Sequence, residues 1–177
     1  MAKLVSKVYG DAYVSVVSDK KNLNVALDEI KAIKDIFVKN EDIALLLDSP
    51  KMDDEEKVSF LKGIFEHHVS EDSMGLLLTV IEKKRQVELL PILDYVTDCI
   101  KELLLIGKAT ITTALPLDTA KKERIVEELI KSSKYESLEV KYIVDESILG
   151  GIVIRIGDRV VDSSVKTRID KMRKMLS

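Results

Sequence analysis

The sequence predicts an α+β chain, mostly helical, with a six-helix bundle over residues 1–106 and a small α+β domain over 107–177 holding a β-sheet with a hairpin and two helices. Apolar residues recur at helical spacing from Leu4 to Leu104, and at Gly107 the period changes from about 3.6 to 2. The stretch "LGGIVIRIGDRVVDSSVKTRIDKM", 149–172, then sets a hairpin signal ahead of a helical one.

The first helix rests on apolar pairs four residues apart: Leu4 and Val5, Val8 and Tyr9, Ala12 and Tyr13, Val16 and Val17. The second carries Leu23, Leu27, Ile30, Ile33 and Phe37, after which Asn40 reads as a cap ahead of acidic Glu41 and Asp42. A short third helix runs to Leu47 and stops at "DSP", 48–50. Asp53 and Glu56 have capping-box spacing before Val58, Leu61, Ile64 and Phe65, and Ser70 with Glu71 and Asp72 opens a fifth helix. That helix, "MGLLLTVI", is apolar nearly all round, so it belongs at the centre of a bundle or gives one face to a partner. Pro91 sits in the first turn of a sixth helix carrying Leu93, Val96, Ile100, Leu103 and Leu104.

Beyond Gly107, "ATITTAL" reads as a strand ending at Pro116, and Asp118 caps a helix with Ile125, Val126, Leu129 and Ile130. Leu138, Val140, Tyr142 and Val144 form one face of a second strand. Ile152, Ile154 and Ile156 face one way from a third, and Gly157-Asp158 has the composition of a type II′ turn into Val160 and Val161. Asp162, Ser163 or Ser164 caps a last helix with Val165, Ile169, Met172 and Leu176 along one side.

Composition narrows the function classes. The 28 basic and 31 acidic residues leave a net charge of −3, which gives no general attraction to nucleic acid or anionic membrane. A single cysteine, Cys99, rules out an internal disulfide; its helical spacing with Val96 and Ile100 predicts a buried, inert thiol. The amino terminus shows no signal or transit peptide, and the densest apolar run, Leu103–Ile106, falls far short of the roughly 20 residues of a membrane span. A soluble chain without membrane insertion is expected.

Catalytic signals are weak. A phosphate loop needs glycines between a strand and a helix start, whereas Gly150 and Gly151 precede a strand and Gly157 lies in a hairpin. His67 and His68 are adjacent, so their side chains project about 100° apart on a helix and do not share one metal. No serine sits in a nucleophile elbow. No catalytic residue, cofactor or metal is expected. The last helix sets Lys166, Arg168, Lys171, Arg173 and Lys174 against Asp170, five cations to one anion. Such a surface is a solvated helix end, a docking face for a partner helix, or the basis of a small nucleic-acid-binding module, although no aromatic is interleaved for base stacking.

Leu138, Val140, Val144, Asp145, Ile148, Gly150, Gly151, Ile152, Ile154, Arg155 and Gly157 stand at the spacing of a known signature. By these residues the chain resembles the δ subunit of F-type ATP synthases, the family of the mitochondrial oligomycin-sensitivity-conferring protein. "GDRVVDSSVKTRI" is similar to the family's "GD.V.DGSV..RL", "VYGDAY" to "YAKAL", "LLDSP" to "FL.NP", "EKKRQVELLPIL" to "NRRL.LLP.I" and "TITTALPL" to "V.SA.PL". Gly10 departs from a customary alanine, Ser163 from the glycine after Asp162, and Lys166-Thr167 from Arg-Gly.

The resemblance implies a non-catalytic peripheral stator, one copy in a hetero-oligomeric complex on the cytoplasmic face of a bacterial plasma membrane. It also implies that the bundle holds the N-terminal helix of an α subunit between its first and fifth helices. Carried onto this chain, that groove is Val5, Tyr9, Ala12, Tyr13 and Val16 facing Leu77, Val80 and Ile81, with Tyr9 and Tyr13 suited to a site with one apolar and one wet side. The C-terminal part would hold the end of the b-subunit stalk through Val165, Arg168, Ile169 and Met172, while Gly150, Gly151, Arg155, Gly157, Asp158 and Asp162 belong to the structural motif.

Overall fold

The computed structural model describes residues 2–49 and 52–175, so Pro50 and Leu176 lie outside the described residues, as does the side chain of Glu41. The chain is α+β and mostly helical, and it divides into two compact units, Met1–Leu104 and Leu105–Ser177.

The first unit contains α1 (Ala2–Asp19), α2 (Leu23–Lys39), α3 (Glu41–Asp48), α4 (Asp54–Phe65), α5 (Glu71–Glu82) and α6 (Leu89–Leu103), with a 3₁₀ turn, Gln86–Glu88, before α6. Its core draws on all six helices: Tyr13 and Val17, Ile30, Ile33 and Phe37, Leu47, Leu61 and Phe65, Leu77 and Val80, and Ile92, Leu93, Val96 and Ile100. The Phe37 and Phe65 rings stack with centroids 6.1 Å apart, joining α2 to α4.

The helix starts follow the capping chemistry. Asp53 accepts from the Glu56 N–H at 2.8 Å while the Glu56 carboxylate accepts from the Asp53 N–H at 3.1 Å, a reciprocal box. Asn40 behaves differently from the expected N-cap. Its amide donates to the Ile36 carbonyl at 2.8 Å, so it closes the end of α2 and makes no side-chain bond to α3. The junction is a single residue wide, and the orphan carbonyls of α2 take its side-chain donor. Cys99 is only partly buried and lies beside the Tyr95 hydroxyl, a correction to the expected core thiol. The spacing placed Cys99 on the flank of the α6 stripe, where Val96 and Ile100 take the interior.

The second unit is a four-stranded sheet in the order β2-β1-β3-β4 with one helix on a face and one after it. Its strands are β1 (Ile106–Thr113), β2 (Ser137–Val144), β3 (Ile152–Ile156) and β4 (Arg159–Asp162); α7 (Thr119–Lys131) links β1 to β2, and α8 (Val165–Met175) follows β4. β1 ends at Thr113, short of Pro116, where the Thr113 hydroxyl donates to the Leu115 carbonyl at 2.8 Å and turns the chain. It pairs parallel with β2 and antiparallel with β3. Gly157 takes φ 54° in the β3–β4 turn and Gly151 takes φ 78°, conformations that a side chain strains, while Asp158 is not among the positive-φ residues, as a type II′ turn requires.

Candidate partner-binding site

The pairing of apolar residues along α1 divides the helix into an inner and an outer row. Tyr13 and Val17 turn inward, 5% and 2% exposed, while Leu4, Val8 and Val16 remain 70%, 61% and 44% exposed. Beside this outer row lies an open cleft of about 270 Å³ between α1 and α5, lined by Tyr9, Ala12, Tyr13 and Val16 on one wall and Glu71, Asp72, Gly75, Leu76 and Thr79 on the other. Val5, half-buried, is one turn before Tyr9 on the same helix.

The α5 wall differs from the sequence expectation. Leu77, Val80 and Ile81 are 0%, 0% and 1% exposed and pack in the bundle core. Because α5 is apolar nearly all round, hydrophobicity did not show which face turns inward. The signal that marks the cleft face is the pair Gly75 and Thr79, four residues apart and the least bulky or most polar positions of that run. A Cβ placed on Gly75 would meet nothing within 4 Å, so this wall is recessed and open.

Tyr13 also departs from expectation. Its hydroxyl is bonded to the Ser73 Oγ at 2.7 Å, inside the protein, and not in water. Ser73 Oγ donates in turn to the Glu29 carboxylate at 2.5 Å, which also accepts from the Ser70 N–H and hydroxyl at 3.0 and 2.7 Å. Burial, working against the Ser73 hydrogen bond, pushes the Tyr13 phenol up to about 12. The network fixes α1, α2 and the start of α5 together at the mouth of the cleft. On the rim Glu71 is exposed, and Asp72 is paired to Lys20 at 2.8 Å.

In the second unit, Val165, Ile169 and Met172 are 39%, 49% and 58% exposed along α8, and Arg168 is exposed beside them. The motif residues hold the backbone that leads into this helix. Asp162 accepts from the Ser164 N–H at 2.8 Å and the Thr167 hydroxyl at 2.7 Å, bonds that hold its carboxyl below the usual range. Ser164 is the N-cap, its hydroxyl accepting from the Thr167 N–H at 3.2 Å. The Gly150 carbonyl accepts from the Val165 N–H at 3.0 Å, and the Arg155 side chain reaches the Gly157 carbonyl at 3.5 Å.

A helical bundle with an open apolar cleft and a small α+β unit with an exposed helical stripe make up the chain. The profile of the ATP synthase delta (OSCP) subunit family matches residues 5–176, and the chain belongs to that family. Members are non-catalytic subunits of ATP synthase. A curated relative from Lachnoclostridium phytofermentans, "ATP synthase subunit delta", is 43% identical over 99% of this chain and 97% of its own length. One of the same name from Bacillus cytotoxicus is 31% identical over 98% and 96%. Among solved structures, a chain of the Toxoplasma gondii mitochondrial ATP synthase hexamer has the same fold, with a TM-score of 0.68 at 17% identity over 97% of this chain and 96% of that one. No described helix is long and apolar enough to cross a membrane.

Proposed function

We propose that the chain is the peripheral stator subunit of a bacterial F-type ATP synthase, present in one copy at the cytoplasmic face of the plasma membrane. Its first unit grips the N-terminal helix of an α subunit and its second holds the C-terminal end of the b stalk. By anchoring the catalytic head it makes rotor torque drive conformational change there, coupling proton transport to ATP synthesis. The observation that supports this reading is the open α1–α5 cleft with its half-buried Tyr9 and its exposed Ala12 and Val16. An amphipathic helix laid in such a groove buries apolar area without paying for a new fold. The exposed Glu71 carboxylate on the rim suits a helix with a basic residue beside its apolar stripe.

Tyr9 is the proposed anchor on α1, since it lines the cleft half-buried and is not one of the buried core residues. Val165, Arg168, Ile169 and Met172 are the proposed stalk contacts on α8. The test is titration calorimetry of the full chain with a peptide of the α-subunit N-terminus. Tyr9→Ala is expected to weaken binding by about 2 kcal/mol, the hot-spot range. A wild-type chain that fails to bind the peptide would overturn the reading.

A further inference from the structure

The apolar residues of α5 leave its facing undecided. Turned about its axis by one residue, roughly 100°, the helix would put Met74, Leu78 and Ile81 where Ser73, Leu77 and Val80 now lie. That facing is at least as apolar as the observed one, in which Ser73, Leu77 and Val80 are each 0% exposed. It would also bring Leu76 and Val80 to the places of Gly75 and Thr79 on the cleft wall. Burial of apolar area therefore does not distinguish an α5 that leaves the cleft open from one that fills it.

Ser73 does distinguish them. Among the described residues of α5 that are buried, it alone has a polar side chain. Its Oγ donates to Glu29 Oε2 on α2 at 2.5 Å. With its hydrogen so used, it accepts from the Tyr13 hydroxyl on α1 at 2.7 Å. The three groups form a directed chain from phenol to hydroxyl to carboxylate.

Glu29 ends that chain, and an ionised carboxylate only accepts. Its Oε2 also takes the Ser70 hydroxyl at 2.7 Å, and its Oε1 takes the Ser70 N–H at 3.0 Å. Ser70 is the N-cap of α5, so three donors from the start of that helix converge on one half-buried carboxylate. The negative charge also suits the positive end of the helix dipole. Turning α5 by one residue withdraws Ser73 and leaves the Tyr13 phenol in the interior without its acceptor, a costly loss for a buried group.

We propose that Glu29 is the positioning residue of the cleft: through Ser73 it fixes the rotation of α5 and so selects the facing in which Gly75 and Thr79 line an open groove. Glu29 is not among the residues that line the cleft, so it acts on an occupant only through α5. The inference rests on the stator reading for what the groove holds.

The test reads the facing itself in the full chain. Cys99 is the single cysteine, so in a Cys99→Ser background Val80→Cys and Ile81→Cys each supply one thiol, to be alkylated by a water-soluble maleimide well below the unfolding midpoint. Both positions are buried, at 0% and 1% exposure, and both thiols are expected to be protected. Glu29→Gln sets an amide N–H₂ against either the Ser70 N–H or the two hydroxyls, and Ser73→Ala removes the link altogether. Either change is expected to speed labelling at position 80 at least about tenfold and to leave position 81, which moves to the buried place of Val80, protected. It is also expected to raise the Kd of the α-subunit peptide several-fold.

Equal rises at positions 80 and 81, or a lost cooperative transition in both variants, would show that the bonds hold the bundle together and not its facing, and would overturn the inference. Wild-type protection and peptide affinity in both variants would overturn it too, with the stator reading intact. If position 80 responds as expected but the wild-type chain does not bind the peptide, the role of Glu29 stands and the stator reading falls.

Discussion

The Tyr13 hydroxyl and the Ser73 hydroxyl are 2.7 Å apart in the interior, joining α1 to α5 where the cleft between them opens. Tyr13 therefore belongs to the fold and to one wall of the cleft at once. Tyr13→Phe keeps the ring and removes one hydrogen bond, while Ser73 retains the Glu29 carboxylate. The expected cost is about 1 kcal/mol in chemical denaturation. Tyr13→Ala leaves a cavity as well and is expected to cost about 3 to 5 kcal/mol. A binding defect in that variant therefore includes a folding defect.

The same tyrosine gives a pH signature. Its phenol is held neutral in the folded chain up to about 12 against an unfolded value of 10.0. Below the unfolded value both states keep the proton, and this contribution to stability is fully present. As pH rises from 10 toward 12 the unfolded chain loses the proton first, and the contribution is lost. Wild type is expected to lose more stability over that window than Tyr13→Phe, measured by urea unfolding at fixed pH values. Parallel curves would show that the phenol does not titrate in this way.

Gly75 separates binding from folding. A Cβ there meets open space, and leucine is a better helix former than glycine by about 0.8 kcal/mol. Gly75→Leu is expected to leave the unfolding midpoint unchanged or raise it, while filling the cleft and weakening α-peptide binding at least about tenfold. Undiminished binding would place the peptide elsewhere on the bundle.

The elements were legible because each rests on local rules: apolar pairs four apart in α1, the Asp53–Glu56 box, the Ser70 and Asp118 caps, and the Gly157-Asp158 turn. The facing of α5 was not, since Leu76 and Leu77 are chemically equal and only contacts with α1, α2 and α4 turn one toward the cleft and the other inward. The central place of β1 was equally hidden. Its partners, β2 and β3, come later in the chain, and alternation within one strand does not say which neighbours it takes. The cavity of about 400 Å³ that Leu117, Ile125, Leu129, Ile152 and Ile154 line between α7 and β3 was hidden as well, because the narrow cover that α7 gives the sheet is a tertiary fact.

Asn40 tests a correction. Its amide donates to the Ile36 carbonyl, a bond that an aspartate cannot make, whereas aspartate is a favourable residue at the start of a helix. If the residue's work is to close α2, Asn40→Asp is expected to cost about 1 kcal/mol in denaturant unfolding. If it served α3, the change would be neutral or stabilising.

Gly10, where the family customarily has alanine, explains itself through Tyr95. A Cβ at position 10 would overlap the Tyr95 ring, so the glycine lets α1 close onto α6, its most extensive helix neighbour. The Tyr95 hydroxyl then donates to Asp11 at 2.7 Å, and that bond, followed by one to Cys99, holds the phenol above its ordinary range. Intrinsic helix preference alone favours alanine at position 10 by about 0.8 to 1 kcal/mol, whereas overpacking costs about 1 to 3. Gly10→Ala is therefore expected to destabilise the wild-type chain and to stabilise a Tyr95→Ala chain, a reversal of sign in a double-mutant cycle. The same sign in both backgrounds would mean that the ring at position 95 is not what keeps position 10 small.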